Sequence, residues 1–134
     1  MGNKPVTSTR SSEMMRTLYG PSYAKDVFRR LECLDPELNK IIQEIPYDAF
    51  WSREGLNLRD KSLITVAALI AMGKEEQTKI HMRGFLHSGG TVSEIRNMLI
   101  HLAVYCGFPA VMNGFAALRD VLPLIPTGRK KTRR

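Results

Sequence analysis

Ten residues near the middle of the chain, Leu63 to Met72, are apolar except for Thr65. A helix built from such a run has no polar stripe. It must sit at the centre of a bundle or be covered by another subunit. The run is roughly half of the ~20 residues that a bilayer span needs, so no membrane-spanning helix is expected. Its borders are marked: Asn57-Leu58-Arg59 opens a helix, and Gly73 supplies a C-terminal stop.

The rest of the chain carries the same helical punctuation. Gly20-Pro21 separates a short first helix from a second that reaches Cys33. Asp35-Pro36-Glu37 is a helix start, with Asp35 as N-cap and Pro36 in the first turn. Leu38, Ile41, Ile42 and Ile45 follow it at helical spacing. Pro46 is expected to bend or end that helix. Tyr47, Phe50 and Trp51 form an aromatic cluster that suits either a core plug or a pocket wall. A further helix starts near Lys74 and ends at Ser88-Gly89-Gly90. Thr91-Val92-Ser93-Glu94 is a capping box that begins another at Val92. Pro109 starts a last helix, and Pro123 stops it. No segment alternates in the manner of a strand. The expectation is an all-α, single-domain bundle of six or seven helices over residues 13–122. A Ser/Thr/Asn-rich segment, 1–12, is expected to be disordered, and 123–134 forms a basic tail.

The chain has 134 residues, enough for one domain with its own core, and a formal net charge of +7. That charge looks like a nucleic-acid signal until it is located. Residues 129–134 carry five cations and no anion, whereas residues 17–128 hold twelve of each. The body is therefore neutral and lacks the basic face of a nucleic-acid-reading domain. The tail remains able to touch nucleic acid or an anionic surface, although a solvated end is its ordinary state. Residues 1–16 are polar and show no signal-peptide pattern, so a cytoplasmic location is expected. Two cysteines, Cys33 and Cys106, make neither a disulfide framework nor a zinc site, which fits a reducing compartment.

Standard catalytic motifs are absent: no Gly-rich phosphate loop, no Cys-x-x-Cys, no nucleophile elbow and no helical His pair. No metal and no cofactor is expected. His81 stands out, one helical turn beyond Gln77 and followed by Arg83. A lone helical His is either a hydrogen-bonded structural residue or a general acid/base. His101, inside the apolar stretch Met98 to Phe108, is expected to be buried and satisfied by a carbonyl or carboxylate. His87, near a helix end, is expected at the surface or as a cap. Cys106 reads as a small buried hydrophobe.

Several blocks together resemble the carboxymuconolactone decarboxylase family. Arg59-Asp60-Lys61-Ser62-Leu63-Ile64-Thr65 is similar to its R-x-R-S-L-[IV]-T opening. Phe50-Trp51-x-Arg53-x-Gly55-Leu56, His81-Met82-Arg83 with Gly89-Gly90, Glu94-Ile95 and Tyr105-Cys106-Gly107-Phe108-Pro109-Ala110 follow the pattern in order. The resemblance spans residues 20–122. It implies an all-helical, alkylhydroperoxidase D-like fold assembling as homotrimers or homohexamers, with two functional branches. The peroxidase branch needs Cys-x-x-Cys-x-x-x-His and an upstream Glu. Here the His falls at His81, the cysteines at Lys74 and Gln77, and the Glu at Ser62. Thiol–disulfide exchange needs two sulfurs, which these positions lack.

The decarboxylase branch fits better. It implies a cofactor-independent carboxy-lyase acting on a small carboxylated lactone in aromatic catabolism, by the β-ketoadipate route. His81 is then the proton donor or electrophile. Arg53, Arg59 and Arg83 bind carboxylates, and Phe50 and Trp51 form an apolar wall. The chain departs from the branch's pattern at Tyr23-Ala24-Lys25-Asp26, His87-Ser88-Gly89 and Val111-Met112, all near the expected pocket. Two alternatives use other features: a thiol peroxidase built on Cys33 and Cys106, and an oligomeric scaffold with a basic tail.

Overall fold

The structure is a computed structural model that describes residues 9–125. Seven α-helices follow one another: α1 Thr9–Tyr19, α2 Pro21–Leu34, α3 Pro36–Ile42, α4 Leu58–Ala71, α5 Glu75–His87, α6 Val92–Cys106 and α7 Phe108–Val121. A π-helical segment, Gln43–Phe50, continues α3, and a short 3₁₀ turn, Leu122–Leu124, follows α7. Among the described residues there is no strand. The all-α class and the helix count agree with the sequence expectation.

The caps explain where the helices start. The Asp35 side chain accepts from the Leu38 amide at 2.8 Å, and Asn57 accepts from Asp60 at 2.8 Å. Thr91 and Glu94 complete a reciprocal capping box. Gly20 turns the corner between α1 and α2 at φ +83°, a conformation that disfavours any side chain. A Cβ there would also lie 3.1 Å from the His87 ring.

Two expectations change, and a third observation concerns α4. Helix α1 begins at Thr9, so residues 9–12 are helical rather than disordered, and Ser11 is fully buried. Residues 1–8 and the basic run 129–134 lie outside the described residues. Pro46 does not end its helix: the segment widens to the π register, in which the Trp51 amide reaches back to the Pro46 carbonyl at 2.8 Å. The apolar helix α4 is not enclosed within the chain. Val66 and Ile70 are buried, but Ile64 and Met72 are 56% and 61% exposed.

Two cores flank α5. Val66, Ile70, Met82, Phe85, Leu99 and Leu118 centre the first, between α4, α5, α6 and α7. Met15, Leu18, Tyr19, Tyr23, Val27 and Tyr47 centre the second, between α1, α2 and the π segment. Met82 and Phe85 face the first core, and Ile80 packs on the second. His81 therefore stands on the helix that both cores share.

Candidate active site

Helix α5 brings His81 against the aromatic side of the second core. Its ring is offset-parallel to Trp51, with centroids 5.7 Å apart and 2° between planes. The Tyr19 ring lies 5.9 Å away on α1, its hydroxyl 3.4 Å from His81 Nδ1. That hydroxyl is also 2.6 Å from the Tyr47 hydroxyl, and Tyr47 stacks on Trp51. The aromatic cluster thus divides: Tyr47 is buried in the core, while Phe50 is 62% exposed and Trp51 half-buried.

Burial sets the protonation states. Desolvation disfavours imidazolium and lowers the His81 pKa to about 4, so the ring is neutral at physiological pH. Desolvation likewise raises the Tyr19 and Tyr47 phenols, and each acts as a neutral hydrogen-bonding group.

Trp51 also lines a cleft of about 520 Å³ with Phe50, Arg53, Glu54, Gly55, Leu56, Lys61, Ile64 and Thr65. The Lys61 ammonium donates to the Trp51 carbonyl at 2.7 Å and to the Arg53 carbonyl, which holds the loop against α4. Among the described residues Arg53 has no carboxylate partner, so its guanidinium is free to meet an anion. A second cavity, of about 580 Å³, has Tyr19 in its wall. Arg83 lines it with Tyr23, Asp26, Leu86 and His87, and the Arg83 guanidinium carbon stands 3.5 Å over the Tyr23 ring.

Phe50, Trp51 and Arg53 thus line one cleft and Arg83 another, while His81 lines neither and reaches the first only through its stack on Trp51. Arg59 is spent differently. It pairs with Glu94 and, at 3.2 Å, with Asp60, and it lies 5.5 Å over the Phe85 ring. Glu94 both caps α6 and neutralises that arginine. His101 corrects an expectation: it is exposed, tilted against Tyr105 at 5.5 Å, because its apolar neighbours lie on an uncovered face. His87 is at the surface as expected. Cys33 is exposed, Cys106 is half-buried, and neither is bonded. At the peroxidase positions Lys74 and Gln77 are exposed and Ser62 is buried, donating to the Leu58 carbonyl. Among the described residues no three His, Cys, Asp or Glu side chains gather as metal ligands, and no helix is long and apolar enough to cross a membrane.

The sequence model of the carboxymuconolactone decarboxylase family matches residues 36–120, well over half of the chain. The chain belongs to the carboxymuconolactone decarboxylase family. It is 28% identical over 98 residues to a 4-carboxymuconolactone decarboxylase of Acinetobacter baylyi, covering 73% of each chain. It is 29% identical over 110 residues to a nitrosuccinic acid decarboxylase of Metarhizium robertsii, covering 82% of this chain and 77% of that one. An uncharacterized 15.0 kDa protein of Paracoccus denitrificans is 25% identical over 114 residues, 84% of this chain and 85% of that one.

Within this family member, Trp51 and His81 fall inside the matched segment, whereas Tyr19 precedes it. Sequence reasoning missed Tyr19 and Lys61; it had Tyr47 as a core plug or a pocket wall, and the structure buries it. Tyr19 lies 62 residues from His81, a distance no local pattern spans. The one visible signal was Gly84, three residues after His81. A Cβ there would lie 3.1 Å from the Tyr19 ring, so the glycine marks where another side chain comes close.

Proposed function

We propose that the chain is a cofactor-independent carboxy-lyase acting on a small carboxylated lactone or a related acid with a neighbouring electron sink. The observation that carries this reading is the neutral, partly buried His81 stacked on Trp51, whose indole in turn lines a cleft with a free arginine. The named relatives support it: both are decarboxylases. Their substrates share a logic. The bond to the departing carboxylate breaks, carbon dioxide leaves, and the electron pair enters an unsaturated lactone carbonyl or a nitro group. The resulting anion then takes one proton. Arg53 would hold a carboxylate, the apolar Trp51–Phe50 wall would exclude water, and His81 would donate a hydrogen bond or proton where negative charge develops.

The test is carbon dioxide release by the purified full chain from 4-carboxymuconolactone and from nitrosuccinate. Release from either, above the uncatalysed rate and saturable in substrate, is expected. No release from both at high enzyme concentration would overturn the reading. A place in aromatic catabolism goes with the lactone substrate and rests on the same assay.

Assembly is part of the same proposal. Ile100, Val104, Tyr105, Phe108 and Met112 line the α6–α7 corner and are 57–80% exposed. A monomer rarely leaves so many large apolar side chains in water together. A homotrimer or homohexamer would cover them. Sedimentation at micromolar concentration is expected to show no monomer, and Val104→Glu to release it. A wild-type monomer would remove this part of the proposal.

A further inference from the structure

We propose that Tyr19 is a positioning residue for His81, fixing the tautomer that places the imidazole proton on Nε2. The inference rests on the reading of His81 as the reacting imidazole, and concerns how the chain prepares it.

A neutral imidazole carries one N–H and one bare nitrogen, and only the hydrogen-bond partners decide which is which. Tyr19 places its hydroxyl 3.4 Å from Nδ1 and 2.6 Å from the Tyr47 hydroxyl. Two hydroxyls and one ring nitrogen can be ordered in two directions. In one, Nδ1–H donates to Tyr19 and Tyr19 donates to Tyr47. The buried Tyr47 proton then has no acceptor among the described residues. In the other, Tyr47 donates to Tyr19 and Tyr19 donates to Nδ1. Both hydroxyl protons are used, and the donor left over is Nε2–H, whose nitrogen is not among the buried unpartnered atoms and so meets solvent. An orphaned buried donor is the costlier defect, so the second order prevails. It leaves Nδ1 as acceptor and Nε2 protonated.

The packing holds Tyr19 in that place. Its side chain is 4% exposed and makes edge contacts with Tyr23 and Tyr47, centroids 5.7 and 6.2 Å away. Against α5 it lies where Gly84 leaves room: a Cβ there would come within 3.1 Å of the Tyr19 ring and 3.2 Å of Leu18. The glycine costs helix stability, and a close approach by Tyr19 gives it a reason.

The test uses full-length protein labelled with ¹⁵N at histidine. His81 is assigned among the three histidines by its loss in His81→Ala. Long-range ¹H–¹⁵N correlation should show His81 as the Nε2–H tautomer. In Tyr19→Phe, which keeps the ring and removes the hydroxyl, the tautomers should mix. The kcat for carbon dioxide release should then fall about tenfold with KM little changed. Gly84→Ala, which displaces the Tyr19 ring and keeps its hydroxyl, should move the tautomer in the same sense.

A wild-type proton on Nδ1, or an unchanged tautomer in folded Tyr19→Phe, would overturn the proposal even if His81→Ala abolishes turnover. A tautomer shift in a protein that never releases carbon dioxide would support the positioning role while removing the decarboxylase reading.

Discussion

Replacing His81 by alanine should lower kcat for carbon dioxide release by about 10²–10⁴-fold, the usual contribution of a positioned acid or base. The fold should survive, because His81 is only partly buried and both cores beside α5 remain. Trp51 is the chain's single tryptophan and stacks on the His81 ring, so its emission reports the change independently of turnover. The pH dependence follows from the same burial. Desolvation lowers the pKa from 6.5 to about 4, so the working form is the neutral ring. Activity limited by His81 should stay level from about pH 5 to 8 and fall as pH drops through about 4. Between pH 4 and 6.5 the unfolded chain binds a proton at this position that the folded chain does not. Stability therefore also declines as the medium is acidified across that window, by about 3 kcal/mol in all. A profile that falls around pH 6.5 would mean that burial does not lower the His81 pKa, and an alanine variant with wild-type kcat would remove His81 from the chemistry.

The largest effect on stability is expected at Phe85. Its side chain is fully buried in the core between α4 and α7. Gly90 has no side chain where that ring passes: a Cβ would fall 2.3 Å from it. Phe85→Ala removes the ring from a site that backbone on one side and helices on the other keep from collapsing. The loss should be about 3–5 kcal/mol. For a domain of this size that is a drop of roughly 10–20 °C in Tm. Arg59 would lose the ring beneath its guanidinium as well, which loosens the start of α4. Urea unfolding followed by circular dichroism measures the change. An effect below about 1 kcal/mol would mean that the core closes over the gap. Phe85→Leu, which refills part of the volume, should lose clearly less.

The two predictions differ in how far their residues were visible in the sequence. Helix limits were legible where capping chemistry writes them, at Asp35, Asn57 and Thr91, because those side chains bond to amides three residues away. Pro46 was read as a break because proline clashes with the α register. The chain keeps it by changing register, which no local rule announces. His81, Trp51, Phe50 and Arg53 were singled out from motif order. That Trp51 stacks on His81 is a contact over thirty residues and belongs to the fold. His101 was misjudged for a general reason. Apolar neighbours predict that a face is covered, but not by what, and Ile100, Val104 and Tyr105 around it are exposed in the single chain. Arg59 was assigned to carboxylate binding through the resemblance; in the fold its carboxylate is Glu94, which both caps α6 and pairs with it.

The wide turn after Ile42 makes this part of the chain sensitive to length as well as to composition. Each residue of an α-helix turns the chain by about 100°. Removing one residue between Gln43 and Pro46 would swing Tyr47 and Trp51 together through about a quarter turn, carrying the indole off the imidazole without altering either side chain. Beyond Trp51 the constraint relaxes. Lys61 pins the carbonyls of Trp51 and Arg53, and the exposed stretch Glu54–Leu56 after them can lengthen without moving either anchor. Insertions and deletions are thus confined to one side of a single residue, and the pocket mouth can be resized there while the imidazole and its aromatic partners keep their spacing.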